Sequence, residues 1–136
     1  MTASAPIFEL RNLAFSWPDA MGNAGRGKPV FRDLNFSLTD SEKIGLYGPN
    51  GCGKTTLLKL ITGLLTPQAG DVCFEGTPVK TEAEFRSLRC AVGYVLQNAE
   101  DQLFFPEVIE DVSFGPLNLG RSQAEALKDA EETLET

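Results

Sequence analysis

The most constraining feature of the chain is a run of nine residues, 48–56, which reads Gly-Pro-Asn-Gly-Cys-Gly-Lys-Thr-Thr. It matches the pattern Gly-x-x-x-x-Gly-Lys-[Ser/Thr], with both glycines, Lys54 and Thr55 at the required spacing. Residues 43–47 before it have the composition of a short buried strand, and apolar residues recur at helical spacing through 55–65 after it. Strand, loop and helix in this order are the context that the motif requires. The segment is therefore predicted to bind the phosphates of a nucleoside triphosphate.

The residue types of this loop explain the predicted chemistry. Glycines let the backbone curl so that successive N–H groups point at phosphate oxygens, and the following helix directs its positive end at the same anion. Lys54 is expected to reach the β- and γ-phosphates, and the Thr55 hydroxyl is expected to hold a magnesium ion. The predicted binding residues are Gly48, Pro49, Asn50, Gly51, Cys52, Gly53, Lys54, Thr55 and Thr56. The alternative is a glycine-rich turn without a ligand, which leaves the Lys-Thr pair without a packing role.

Composition argues against several other classes of protein. The net charge is −7, and residues 100–136 hold ten acidic and two basic residues, so we expect no surface for nucleic acid. The chain has no histidine, and its three cysteines form no Cys-x-x-Cys pair, which disfavours zinc and favours free thiols in a reducing compartment. We find no run of about 18 apolar residues and no basic, apolar start, so neither a membrane span nor a secretory signal is predicted.

Strand patterns and turn residues alternate through the first two thirds of the chain. The segments predicted as strands, besides 43–47, are 7–17, 30–38, 71–75 and 91–96. Residues 18–28 hold three glycines and an asparagine and are predicted to form a hairpin loop. The last of these strands is predicted to be buried, and apolar strand surroundings are expected to shield Cys73 and Cys90.

Helical patterns dominate the remainder. About one helical turn is predicted at 83–89, and a helix from Val108 is predicted to break at Gly115-Pro116. A final helix is predicted from Ser122 to Thr136, because Ser122-Gln123-Ala124-Glu125 has the form of a capping box. It has no glycine cap and no basic last turn, so the chain is expected to stop inside an element.

These motifs together resemble the ATP-binding subunit of an ABC transporter, and within that family the energy-coupling-factor type, which powers uptake of cobalt, nickel and vitamins. Phe15-Ser16-Trp17 lies where the family has an aromatic residue that stacks on adenine, so the resemblance assigns Trp17 to the base. A strand-end core residue is the other interpretation of Trp17. Gln97 lies where the family places its Q-loop glutamine, and the resemblance assigns it to the metal and, with Lys54, to catalysis.

The stretch after Gln97 extends the resemblance. Residues 98–104 and 110–120 are similar to the energy-coupling-factor pattern. Leu103-Phe104-Phe105, an apolar triplet in an acidic loop, indicates either a partner surface or a local hydrophobic staple. Ser41 departs from the family, which usually has glycine before the glutamate.

The resemblance implies an α/β fold: a P-loop NTPase core of the ABC type with an antiparallel β subdomain, ending within the helical subdomain. Residues 1–40 would be mainly β subdomain, 41–97 part of the core, and 98–136 the Q-loop and the start of the helical subdomain. ATP and Mg²⁺ are the implied cofactors. The implied partners are a second ATP-binding subunit, identical or different, and a transmembrane transport subunit contacted through about Gln97–Phe114. The implied location is peripheral, on the cytoplasmic face of the membrane.

Other family elements are missing from the 136 residues. There is no Leu-Ser-Gly-Gly-Gln segment, no switch histidine, and no run of four apolar residues followed by Asp-Glu. Val108-Ile109-Glu110-Asp111 has only two apolar residues and the acids in reverse order, so it is rejected as that motif. An alternative interpretation is thus a catalytically inactive nucleotide-binding fragment of an interrupted gene. A P-loop kinase or GTPase is disfavoured, because no Asn-Lys-x-Asp guanine motif is present.

Overall fold

The computed structural model of the chain describes residues 5–135. Residues 1–4, at the start of the predicted β subdomain, and Thr136, the predicted end of the last helix, lie outside the described residues. The chain divides into two compact units, one running to Val92 and the other starting at Gly93.

The first unit contains a four-stranded antiparallel sheet in the order β2-β1-β3-β4. The strands are β1, Pro6–Ser16; β2, Pro29–Thr39; β3, Ala69–Phe74; and β4, Thr77–Val79. The predicted strands at 7–17, 30–38 and 71–75 are confirmed with small shifts of their ends. Alternation along β1 is irregular because the register shifts between Leu10 and Leu13, where Asn12 has a φ of 50°. This bulge turns Leu13 and Phe15, rather than their neighbours, into the core.

The described residues also form four α-helices and one 3₁₀ helix. These are α1, Lys54–Ile61; α2, Glu82–Ala91; the 3₁₀ helix, Ala99–Gln102; α3, Val108–Asn118; and α4, Gln123–Leu134. Helix α1 is shorter than predicted, because Gly63 takes a φ of 70° just after its end. The predicted break of α3 at Gly115-Pro116 is wrong. Pro116 lies in the last turn, where it removes one backbone hydrogen bond, and the helix nevertheless continues to Asn118.

Helix α2 is longer than the single turn that was predicted. A capping box starts it, in which the Thr81 hydroxyl accepts from the Glu84 N–H and the Glu84 carboxylate accepts from the Thr81 N–H. The helix buries Phe85 and Leu88. Cys90, predicted to lie in apolar strand surroundings, is instead exposed, because it lies on the other side of this helix.

The core of the first unit is formed where α1 and α2 cover one face of the sheet. Its buried apolar side chains are Phe8, Leu10, Leu13, Phe15, Leu57, Leu60, Val72, Val79, Phe85 and Leu88. Leu13 and Leu60 are completely inaccessible to solvent. The predicted phosphate loop is thus held in place by the packing of α1, the helix that follows it.

Two predicted strands do not form. Residues 43–47 have no regular secondary structure and pair with no other described segment, and 92–96 have no strand partner either, while Ala91 ends α2. Leu46 is 43% exposed and Val95, predicted to be buried, is 77% exposed. Strands that are apolar on both faces form when neighbouring strands flank them. In the described part of the chain the sheet strands pair only with one another, so neither segment has such neighbours.

The second unit consists mainly of α3 packed on α4. The small residues Ala126 and Ala130 of α4 are fully buried. The predicted capping box is confirmed: Ser122 accepts from the Glu125 N–H, and Glu125 accepts from the Ser122 N–H at 3.0 Å. No helix of residues 5–135 has both the length and the apolar character that a membrane span needs.

Candidate nucleotide-binding site

The predicted phosphate loop forms a tight backbone curve that ends at Gly53, the N-cap of α1. Gly53 has a φ of 106°, in the region that favours glycine. A Cβ atom there would lie 2.6 Å from Val30 Cγ1 and 2.9 Å from Phe31 Cζ. The start of β2 therefore packs directly on the loop, and both backbone conformation and space require glycine at position 53.

The first turn of α1 presents backbone N–H groups without any acidic side chain. The Leu57 N–H donates to the Gly53 carbonyl at 2.8 Å, which is the first intrahelical hydrogen bond of α1. The N–H groups of the three preceding helical residues therefore have no acceptor within the helix. Thr55 is exposed, whereas Thr56 is buried. A positive helix end, free donors and an exposed hydroxyl fit an anion with its metal ion.

Lys54 spans the loop. Its Nζ atom donates to the Gly48 carbonyl at 2.7 Å and to the Pro49 carbonyl at 3.0 Å, and lies 3.8 Å from Cys52 Sγ. In the described residues the structure gives this ammonium no carboxylate partner. Its positive charge is therefore held over the loop without being neutralised, which suits a ligand with several negative charges.

Trp17 follows the last residue of β1 and is 43% exposed. Its ring meets Phe15 edge to face, with centroids 5.3 Å apart and planes at 84°. It also lines a cavity of about 210 Å³ together with Gly25, Leu65 and Gln68. One part of the indole thus packs at the strand end and another part is accessible, so both interpretations of Trp17 stay open.

Gln97 is exposed and lies in a bend before the 3₁₀ helix. It belongs to the second unit, whereas the phosphate loop and Trp17 belong to the first. The segment leading to it is held by Gln102, whose Oε1 accepts from the Leu96 N–H at 3.2 Å and whose Nε2 donates to the Tyr94 carbonyl at 3.3 Å. The Gln97 amide, for which residues 5–135 supply no hydrogen-bond partner, thus lies at the end of a segment held by Gln102.

Comparison with known proteins decides the family. A family model described as ABC transporter matches residues 31–136. The chain belongs to the ABC transporter family. The resemblance stated from the phosphate loop and the residues around Gln97 is thereby confirmed.

Curated ABC relatives include proteins named for energy coupling and cobalt import. The chain is 42% identical over 130 residues to the energy-coupling factor transporter ATP-binding protein EcfA of Methanothermobacter thermautotrophicus, covering 95% of this chain and 40% of that protein. It is also 42% identical over 130 residues to the cobalt import ATP-binding protein CbiO of Rhodobacter capsulatus, covering 95% of this chain and 44% of that protein. The chain therefore spans less than half the length of these relatives.

Solved ABC structures confirm the fold class. The structure of a CbiO protein of Clostridium perfringens, part of the ABC transporter complex CbiONQ, superposes with a TM-score of 0.79 at 27% identity, covering 96% of this chain and 49% of that one. An ATP-binding cassette dimer bound to ADP and phosphate superposes with a TM-score of 0.76 at 22% identity. The predicted ABC-type α/β fold with an antiparallel β subdomain is thus correct, for a chain shorter than its relatives.

Some residues that shape this ABC-type chain escaped the sequence interpretation. Gln68 binds the backbone of Ser16, 52 residues away. The Asp111 carboxylate accepts from the Phe104 N–H at 2.8 Å and the Phe105 N–H at 3.3 Å. Neither residue belongs to a motif with fixed spacing, so the sequence carries no signal for these contacts.

The turn just before the phosphate loop is stabilised by side-chain hydrogen bonds. The Glu42 carboxylate accepts from the Thr39 N–H and hydroxyl, both at 2.9 Å, and these hydrogen bonds lower the pKa of Glu42. Ser41 takes a φ of 65°. Glycine adopts this left-handed conformation without strain, so serine at position 41 is a strained residue.

Proposed function

We propose that the chain is the ATP-binding part of an ABC-type ATPase that energises membrane transport, of the energy-coupling-factor type that takes up a metal ion or a vitamin. The observation that carries the proposal is the phosphate loop. Lys54 spans it, no acid stands in the first turn of α1, and glycine is sterically required at position 53. The names of the relatives support the transport class.

ATP with Mg²⁺ is the proposed ligand of this loop. Lys54 and the loop N–H groups, from Gly51 onward, would bind the β- and γ-phosphates, and the exposed Thr55 hydroxyl would hold the metal. The metal ion, when bound, supplies charge neutralisation to the phosphates. Gln97 is proposed to complete the metal environment and to act with Lys54 in catalysis, and Trp17 to stack on the adenine.

The proposed partners are a second ATP-binding subunit and a transmembrane transport subunit contacted through about Gln97–Phe114. Leu103 and Phe104 support the second assignment, because they are 62% and 73% exposed. Beside them, a groove of about 370 Å³ is lined by Phe105, Phe114 and Leu117. The protein would therefore lie peripherally on the cytoplasmic face of the membrane.

The proposed organisation keeps the predicted boundaries. Residues 1–40 are assigned mainly to the β subdomain, 41–97 to the core, and 98–136 to the Q-loop and the start of the helical subdomain. Hydrolysis would require the signature and Asp-Glu segments that these 136 residues lack. We therefore expect the chain by itself to bind ATP without releasing phosphate above background, which keeps the inactive fragment as the second candidate.

The test of the proposed function is titration of ATP into the protein with magnesium present. Lys54→Ala removes the charge held over the loop, and the ATP affinity is expected to fall at least about tenfold. Lys59→Ala, a change of the same type in the last turn of the same helix, serves as the matched control. Equal dissociation constants for the Lys54 variant and the wild type would refute the phosphate-loop assignment.

The gene sequence beyond codon 136 separates the two candidates. Only background phosphate release is expected from the 136-residue chain in either case, because it lacks the signature and Asp-Glu segments. An in-frame continuation that carries both segments would favour part of a working ATPase, whereas a stop codon at that point would favour the inactive fragment.

A further inference from the structure

At the end of β1, just before Trp17, Ser16 pairs with Pro29 of β2 on one side, whereas on the side facing β3 it is held by a side chain rather than by a strand. Ala14 is paired with Ala69, the first residue of β3, and the same register would place Pro67 opposite Ser16. Proline has no N–H to donate. The side chain of Gln68 makes the hydrogen bonds that a strand partner would make. Its Oε1 accepts from the Ser16 N–H at 2.6 Å, and its Nε2 donates to the Ser16 carbonyl at 3.0 Å.

The other side of the chain at Trp17 is held by the loop 18–28. The Gly27 N–H donates to the Trp17 carbonyl at 2.9 Å. A Cβ atom on Gly27 would lie 2.4 Å from that carbonyl oxygen, so no other residue can approach as closely. The loop is closed by Asp19, whose carboxylate accepts from the Asn23 N–H at 2.8 Å, and hydrogen bonds from Asn23 lower the pKa of Asp19.

The indole itself has few restraints of its own. Its one ring contact is with Phe15 in the described part of the chain, and close to half of its surface is exposed. Its direction therefore depends on the backbone of Ser16 and Trp17. Gln68 also lies close to the loop 18–28, because a Cβ atom on Gly25 would lie 3.2 Å from Gln68 Cγ.

We propose that Gln68 is a positioning residue, which fixes the backbone at Ser16 and thereby holds the Trp17 indole in the direction that a purine base requires. This inference rests on the proposed function, specifically on the stacking role of Trp17. A side chain already held in its binding orientation loses less conformational entropy when a ligand stacks on it. Gln68 thus contributes to recognition of the base and not to recognition of the phosphates.

The test uses Gln68→Met, which keeps the length of the side chain and removes both hydrogen bonds to Ser16. Trp17 is the only tryptophan, so intrinsic fluorescence reports this residue alone. We expect the acrylamide quenching constant of the free variant to rise about twofold and its ATP affinity to fall about fivefold. The affinity for inorganic tripolyphosphate, which has no base, should stay unchanged. Gln123→Met, on α4, is the control.

A second variant guards against loss of folding. Gln68→Glu keeps an acceptor for the Ser16 N–H but places a carboxylate oxygen against the Ser16 carbonyl, so it should shift both readouts in the same direction. Circular dichroism identifies folded variants. Wild-type quenching or wild-type ATP affinity in the folded Gln68 variants would overturn the inference.

Two further variants separate failure of the inference from failure of the proposed function. If Trp17→Ala weakens ATP binding and the Gln68 variants do not, the inference alone is wrong. If Trp17→Ala leaves ATP affinity unchanged, the stacking role and the inference fail together. The phosphate-loop assignment is then still decided by Lys54→Ala with tripolyphosphate.

Discussion

The two units of the chain place their candidate functional groups in opposite ways. In the first unit, the groups that would meet a nucleotide are backbone N–H groups and one lysine, held in place by a packed helix and by the start of β2. In the second unit, the candidates are exposed side chains, Gln97 and the Leu103-Phe104 pair. The proposed phosphate site is thus built on a packed part of the first unit, whereas the candidate groups of the second unit lie on exposed surfaces whose proposed role depends on a partner.

The largest expected effect tests whether the first unit is the more tightly packed of the two. Leu60 is fully buried, so Leu60→Ala should lower the free energy of unfolding by about 2–5 kcal/mol. Leu127→Ala, at a 36% exposed position of α4, should cost less than about 1 kcal/mol. Urea unfolding followed by circular dichroism measures both. A larger loss for Leu127 would reverse the comparison.

The next effect concerns access to the loop. Cys52 is exposed and Cys73 is fully buried, and burial raises the pKa of the Cys73 thiol. Maleimide should label Cys52 before Cys73, and ATP at about ten times its dissociation constant should slow the labelling of Cys52 about tenfold. Exposed Cys90 is the internal control, since its rate of labelling should not depend on ATP. Mass mapping that finds Cys52 unprotected by ATP would contradict the site.

Matched capping boxes in the two units allow a sharper comparison. Thr81→Ala and Ser122→Ala each remove one side-chain acceptor at a helix start and should each cost about 1 kcal/mol. The cost at α2 should appear as lower stability of the whole first unit. The cost at α4 should appear as faster hydrogen exchange in that helix alone, because few other elements of its unit pack on it. Loss of protection in the first unit on Ser122→Ala would refute this locality.

The same boxes predict a dependence on pH. Hydrogen bonds from Thr81 and from Ser122 lower the pKa values of Glu84 and Glu125 in the folded chain. Their stabilisation is therefore complete above the unfolded carboxyl pKa and is lost as the pH falls through the lower folded value. Alanine keeps the backbone N–H that binds each carboxylate and loses only the hydroxyl. The deficit of each variant relative to the wild type should therefore narrow in that acidic range without disappearing, and narrow more for Ser122→Ala, as measured by exchange or unfolding at several pH values.

The smallest effect is a gain. Ser41 has a φ of 65° in the turn before the loop, so Ser41→Gly should raise the free energy of unfolding by about 0.5–1 kcal/mol. Asp40→Gly, beside it, is the control, since its backbone does not have a positive φ. A destabilised Ser41 variant would mean that the hydroxyl has a role that the conformation does not explain.

Local patterns predicted what depends on local interactions. The capping box at Ser122 and the strand patterns near Phe8 and Val72 were read correctly, because the residues that cause them are neighbours along the chain or across a hairpin. The predictions of strands at 43–47 and 91–96 were wrong. A strand that is apolar on both faces forms only between neighbouring strands, and the described residues supply none beside these segments. Gln68 was missed because its partner, Ser16, is distant in sequence.

The order of the sheet also has a consequence for the time course of synthesis. All four paired strands lie between Pro6 and Val79, so the last pairing becomes possible as soon as β4 leaves the ribosome. At about 5–20 residues per second, the 18 residues that follow Val79 up to Gln97 need roughly one to four seconds more. During that interval the sheet and α1 can already enclose Leu13 and Leu60. A nascent chain is therefore expected to carry a formed phosphate loop before the segment around Gln97 has left the ribosome.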